Sequence, residues 1–297
     1  KAILPVVAMK FGTVIEHLPT ELDPPGYLWR GPESYVVSDP RMAEFRWPRK
    51  LVEGRQLIAF LGGSTTQPDG LRSYPRRCLR LLNQAAGKEQ FEMMNCGLSF
   101  YSTHQSLIVL QRYVLPLRPD YVVVYHGWND PLLASDGYGD SEKDHLSVAG
   151  PKRSWLRSLR LSTSLGWLAQ RKDQFWPRVR VDFATFEENL RRMAELCASV
   201  GATLVVVSRP AARTGVVPEV DAATRHVYAG TFGADKRDIY FGIHRAVTAA
   251  QARVVSAYPT VRLTDTSFYL DQKQQELESL GLPAVQIFSR DAVHVQG

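Results

Sequence analysis

Four short stretches carry residue types that could do chemistry together: Gly62-Gly63-Ser64-Thr65-Thr66, Asn95-Cys96-Gly97, Gly127-Trp128-Asn129-Asp130, and Asp291 to His294 close to the chain end. A serine hydroxyl is a poor nucleophile at neutral pH and attacks an acyl carbon only when a neighbouring base takes its proton. Histidine, whose charge switches near pH 7, is the usual base. Each stretch alone has a plain structural reading. Gly62-Gly63 can be a turn presenting a solvated serine, Asn129 and Asp130 can close a turn or cap a helix, and His294 can be a surface residue.

The surrounding sequence places three of the four stretches at strand ends. Leu57 to Leu61 is an apolar run suited to a strand buried on both faces, and the glycines that follow admit backbone angles closed to other residues. A helix is predicted from Tyr74 to Ala86, with Pro75 in its first turn and Gly87 near its end. Phe91 to Met94 reads as the second strand, His104 to Leu115 as a helix closed by Pro116, and Tyr121 to Tyr125 as the third strand. Phe183, Phe186, Leu190, Met193, Cys197 and Val200 share one helical face, with Asp182 or Thr185 as cap, Thr185 and Glu188 in capping-box spacing, and Gly201 at the end. Strands at Thr203 to Val207 and Val261 to Leu263 flank a helix over roughly 241–257. Residues 211–240 read as a longer variable segment. Strand, helix and strand in repetition is the grammar of right-handed parallel crossovers, and side chains just past such strands sit where open α/β sheets bind ligands.

In this order the four blocks resemble those of the SGNH (GDSL-type) hydrolases, whose nucleophile block, glycine block, Gly-x-Asn-Asp block and Asp-x-x-His block stand here as GGSTT, NCG, GWND and DAVH. The resemblance covers about residues 55–297. It implies a three-layer α/β/α sandwich around a five-stranded parallel sheet, flavodoxin-like, and a Ser64, Asp291 and His294 triad in which Asp291 orients the imidazole. It further implies an oxyanion hole made of the Ser64 and Gly97 backbone N–H groups and the Asn129 side-chain amide, with Trp128 and Thr65 lining the pocket. The family's aspartate before the serine is replaced by Gly63, and its leucine after it by Thr65. The second glycine of a G-x-S-x-G elbow is missing and the acid lies three residues before the histidine, both of which favour this family over the α/β-hydrolase fold.

The function implied is a serine esterase removing a short acyl group, acetyl foremost, from a carbohydrate or other polar substrate through an acyl-enzyme. An acyltransferase using the same triad and a non-catalytic glycan-binding member of the fold remain as alternatives. His126 lies inside the third strand and reads as a packing residue.

The rest of the chain bounds this reading. At 297 residues, 44% hydrophobic and 22% charged, the composition is that of one globular α/β domain. Residues 1–54, rich in proline and glycine, read as an irregular arm packed on the domain with Tyr27, Trp29, Tyr35 and Trp47 as anchors. Residues 131–181 read as an inserted helical cap. Of the net charge of +6, Lys152 to Arg180 carries more than the total, with eight basic residues against Asp173. A basic nucleic-acid-binding face spread over the fold is therefore excluded, and an anionic partner, such as a membrane surface touched peripherally, is confined to the basic insertion 152–180. Cys78, Cys96 and Cys197 have no zinc spacing and read as buried free thiols; no P-loop, GxGxxG or HExxH occurs, so no metal or cofactor is expected. No apolar run reaches a membrane span's length. The start at Lys1 leaves an extracytoplasmic or membrane-anchored protein, with a segment removed upstream, and a cytoplasmic one both open.

Overall fold

The computed structural model describes residues 27–29, 34–37, 46–48, 54–66, 74–98, 100–134, 139–142, 178–210 and 222–281. In chain order its strands are β1 (Tyr27–Trp29), β2 (Ser34–Val37), β3 (Arg46–Pro48), β4 (Gln56–Gly62), β5 (Phe91–Asn95), β6 (Tyr121–Tyr125), β7 (Thr203–Val207) and β8 (Val261–Thr264). The first three form a separate antiparallel sheet, in which Trp29 is in register with Tyr35 and Tyr35 with Trp47. The arm expected to be irregular thus contains strands, placed where its aromatic and β-branched residues cluster.

The other five strands make one parallel sheet in the order β5-β4-β6-β7-β8. This is the flavodoxin-like 2-1-3-4-5 arrangement, whose strand order reverses between β4 and β6 and opens a crevice beyond their carboxyl ends. Alternation along β4 explains why both faces must be covered. Leu57, Ala59 and Leu61 enter a core with Val122, Val124, Leu204 and Val206, whereas Phe60 points to the opposite face and meets the Tyr74 ring edge-on at 5.8 Å.

The helices are α1 (Tyr74–Ala86), α2 (Thr103–Val109), α3 (Phe183–Ser199), α4 (Ala222–Phe232), α5 (Lys236–Ala257) and α6 (Thr266–Ser279). Helices α2, α3 and α5 pack side by side and share the core that holds Leu57 and Val122, whereas α1 lies against β5. The α2 helix runs on as one wide turn, Leu110–Val114, and ends in a short 3-10 turn at Leu115–Leu117, closed by Arg118 at φ 48°.

Of the two caps open for α3, Asp182 is the one used: its Oδ1 accepts from Thr185 N at 2.7 Å, and Thr185 lies inside the helix. Two helices fall where none was read. One is α4, in the segment taken as variable. The other is α6, whose polar residues run around its whole circumference and leave no apolar stripe to find. The α5 helix also starts five residues earlier than expected, at a cap on Asp235. Among the described residues, no helix is long and apolar enough to cross a membrane, and no group of three or more His, Cys, Asp or Glu could hold a metal ion.

Candidate active site

The β4 strand delivers Ser64 to the crevice through a tight turn, closed by Thr66 N donating to Gly63 O at 3.0 Å, with Ser64 exposed at its tip. The two glycines are not there for unusual dihedral angles, as expected from sequence, since neither has a positive φ. They supply space. A Cβ on Gly62 would come within 2.0 Å of Thr66 Oγ1 and 2.9 Å of Tyr125 O, and one on Gly63 within 2.6 Å of Asn129 Nδ2.

Thr66 is fully buried beneath the nucleophile turn. Its carbonyl accepts from Asn95 Nδ2 at 2.8 Å, and its Oγ1 lies 3.3 Å from the Tyr74 hydroxyl. Gly97 faces Thr66, whose backbone carbon and Cβ both lie 2.5 Å from where a Gly97 Cβ would stand. The Gly97 N–H donates to Asn95 Oδ1 at 3.0 Å. The missing side chain of Gly97 thus makes room for Thr66, and its amide, expected at the oxyanion, is held here by the Asn95 side chain.

The β6 strand delivers the second polar group. Asn129 Nδ2 donates to Tyr101 O at 2.9 Å, which occupies one of the two amide protons and holds the group beside Gly63 and Ser64. Asp130 is buried and works as a tether: its Oδ1 accepts from Thr103 N at 2.8 Å and Thr103 Oγ1 at 2.6 Å, and its Oδ2 from Gly127 N at 3.3 Å. Asn189 Nδ2 in turn donates to Thr103 Oγ1 at 2.9 Å. The start of α2, the end of β6 and the middle of α3 are thereby fixed to one carboxylate.

Ser64, Thr65, Tyr125, His126, Trp128 and Asn129 surround a small pocket at the crevice. Tyr125 and Trp128 are its aromatic walls, and burial lifts the Tyr125 phenol to about 12, so it stays protonated. His126 also borders the pocket, but its ring nitrogens turn inward. Its Nε2 is 2.6 Å from Ser106 Oγ, its Nδ1 is 3.9 Å from Asp130 Oδ2, and burial pulls its pKa down to about 4. It is a neutral, inward-bonded packing residue, although it lies one position past β6 and not inside the strand.

Asp291 and His294 lie outside the described residues, as does the body of the insertion. Both ends of that insertion are described, and they correct one count. Arg180 is buried in an ion pair with Asp140, so it adds nothing to a basic surface. Two residues near the site had no sequence signal. Phe100, beside the carbonyl that holds Asn129, adopts φ 67°, a conformation that glycine or asparagine would have advertised and phenylalanine conceals. Arg209, just past β7, stacks on Trp128 from a position that no motif covers.

The thiols also divide. Cys96 and Cys197 are buried, while Cys78 is only half-buried on α1.

No protein-family model matches the chain, and no curated protein matches it in sequence. Solved structures do. The chain is similar to a protein assigned as a GDSL-like lipase from Parabacteroides merdae, with 13% identity, a TM-score of 0.52, and coverage of 82% of this chain and 90% of that one. A lipase/acylhydrolase from Enterococcus faecalis (17% identity, 81% and 87% coverage, TM-score 0.45) and an acetyl xylan esterase from Geobacillus stearothermophilus (14%, 81% and 87%, TM-score 0.46) are also similar. The first likeness establishes a shared fold, the five-stranded α/β/α sandwich expected from the resemblance.

Proposed function

We propose that this protein is a serine esterase that hydrolyses short acyl esters, acetyl foremost, of a carbohydrate or other small polar alcohol. The observation that carries the proposal is the juxtaposition of an exposed Ser64, on a tight turn at the point where the strand order reverses, with the Asn129 carboxamide packed against Gly63. Ligands of open α/β sheets gather at that point, and a hydroxyl there beside an amide donor is the pairing that acyl transfer needs.

Ser64 Oγ attacks the acyl carbon while its proton passes to the His294 imidazole, which Asp291 orients. The carbonyl π electrons move to oxygen, and the oxyanion is met by the Ser64 backbone N–H and the second amide proton of Asn129. Collapse expels the alcohol, protonated by the imidazolium, and leaves acyl-Ser64. Water, giving a proton to His294, attacks the acyl-enzyme, the carboxylic acid departs, and Ser64 recovers its proton. The close aromatic walls of Tyr125 and Trp128 favour a short acyl chain.

The test is intact-mass detection of an acyl adduct across acetyl and longer-chain donors, together with fluorophosphonate labelling. Labelling is expected on the native protein and absent in Ser64→Ala. Equal labelling of the two would refute the assignment of Ser64, and free acid as the only product distinguishes hydrolysis from transfer to an added sugar.

A further inference from the structure

Arg209 follows β7 and is almost fully buried, with 2% of its surface exposed. Its guanidinium carbon lies 3.4 Å from the centre of the Trp128 ring and 5.3 Å from that of Tyr240, and these two rings are 5.8 Å apart. Its Nη1 donates to Gly127 O at 3.2 Å. Burial pulls its pKa down to about 10, so it stays charged at neutral pH. A cation–π contact is strongest when desolvated, as it is here, and a planar fork can stack and donate at once in a way an ammonium cannot.

The contacts fall on the loop that carries Asn129. Gly127, at φ 116°, has no room for a side chain because a Cβ would stand 2.6 Å from Val247 Cγ1. At the far end of the loop Asp130 is held by Thr103. Asn129 thus lies between two anchors, the Asp130 carboxylate on one side and the Arg209 stack on the other, with Trp128 joining the second anchor to the pocket wall.

We propose that Arg209 is a positioning residue for the reaction: by clamping Gly127 and Trp128 it fixes the Asn129 amide at the oxyanion and sets the wall against which the acyl group rests. The inference rests on the esterase reading, and it concerns a residue that acts through Gly127 and Trp128. A displacement of about 1 Å in a catalytic group can lower a rate by about 10²-fold, so a clamp one layer behind the donor should act on kcat more than on KM.

Three variants, Arg209→Met, Arg209→Lys and Asn129→Ala, and the double variant Arg209→Met/Asn129→Ala, are assayed on an activated acetate ester, with deuterium uptake over residues 126–130 followed in parallel. Arg209→Met should lower kcat by about 10- to 100-fold with KM little changed. In the Asn129→Ala background the same change should lower it little further, because the group it positions is gone. Arg209→Lys keeps a buried charge in the same place and guards against loss of folding; it should restore thermal stability without restoring kcat. Uptake over 126–130 should rise in Arg209→Met. Additive losses in the double variant, full kcat in Arg209→Lys, or unchanged uptake would each overturn the proposal. A native protein that neither hydrolyses the ester nor labels at Ser64 would instead refute the esterase reading, and the uptake measurement would still decide whether Arg209 holds the loop.

Discussion

Asp140 and Arg180 face each other in a two-pronged ion pair, Nη2 2.7 Å from Oδ2 and Nε 3.1 Å from Oδ1, buried at the root of the insertion. Around it the two ends of the insertion pair as backbone. Ala134 N donates to Arg178 O, Arg180 N to Leu132 O, and Val181 N to Asp130 O. Ser102, the N-cap of α2, adds its hydroxyl to Asp140 Oδ2 at 2.7 Å. The insertion is therefore fastened to the same helix start that Asp130 holds.

Removing one partner of such a pair strands the other charge in the interior. Arg180→Ala should destabilise the fold by about 3–5 kcal/mol, whereas replacing both partners by apolar residues of similar volume should recover most of the loss. Denaturant midpoints of Arg180→Ala and of Asp140→Leu/Arg180→Met provide the comparison. If the double variant is as unstable as the single one, the pair itself and not the stranded charge is what matters.

The glycines beneath the site should separate in their effects. At Gly63 an added Cβ clashes with the tip of the Asn129 side chain, which can swing away at the loss of its bond to Tyr101, and otherwise makes ordinary contact with Tyr101 O at 3.5 Å. Gly63→Ala should thus leave the melting temperature nearly unchanged and lower ester hydrolysis by about 10²-fold or more, the usual consequence of losing one oxyanion donor. At Gly97 the obstacle is the Thr66 backbone, which cannot swing. Gly97→Ala should lower the melting temperature by several degrees, about 1–3 kcal/mol for overpacking, and the two scans side by side test the distinction.

The sheet and the order of the site blocks were legible because apolar runs end abruptly in glycine, asparagine or serine. The residues of β4, β6 and β7 mark their own limits, and the start of α3 was legible to within the choice between Asp182 and Thr185 as its cap. What stayed hidden depends on contacts between distant residues. The room that Gly97 leaves for Thr66, far off in sequence, has no signature at Gly97 itself. Gly62 and Gly63 suggest unusual dihedral angles, yet the reason for both is a neighbour's volume. Arg209 is of a residue type rarely buried unless paired, and its burial goes with the rings of Trp128 and Tyr240. The strained backbone at Phe100 has no signature in the residue itself.

Accessible thiols give a simple check on the core. Cys96 and Cys197 are buried, and burial pushes their thiols up, the latter to about 12. Cys78 is half-buried. A thiol reagent at neutral pH should modify Cys78 slowly and the other two only after denaturation, when all three react. Fast native modification of Cys96 would place the β5 loop elsewhere.

His126 makes stability depend on pH in a defined window. Its folded pKa, about 4, lies below the ordinary 6.5, chiefly because burial penalises the imidazolium, with Arg180 also opposing the charge and Asp130 favouring it. Between those values the unfolded chain binds a proton that the folded one does not, so unfolding free energy rises with pH there and is lost as pH falls from about 6.5 towards 4. A shift of that size corresponds to on the order of 3 kcal/mol once acidification is complete. His126→Asn, which removes the titrating group while retaining a polar side chain for Ser106, should flatten the slope that His126 contributes. Urea midpoints at closely spaced pH values from 7 to 4 measure it, and an equally steep fall in the variant would assign the acid sensitivity to other groups.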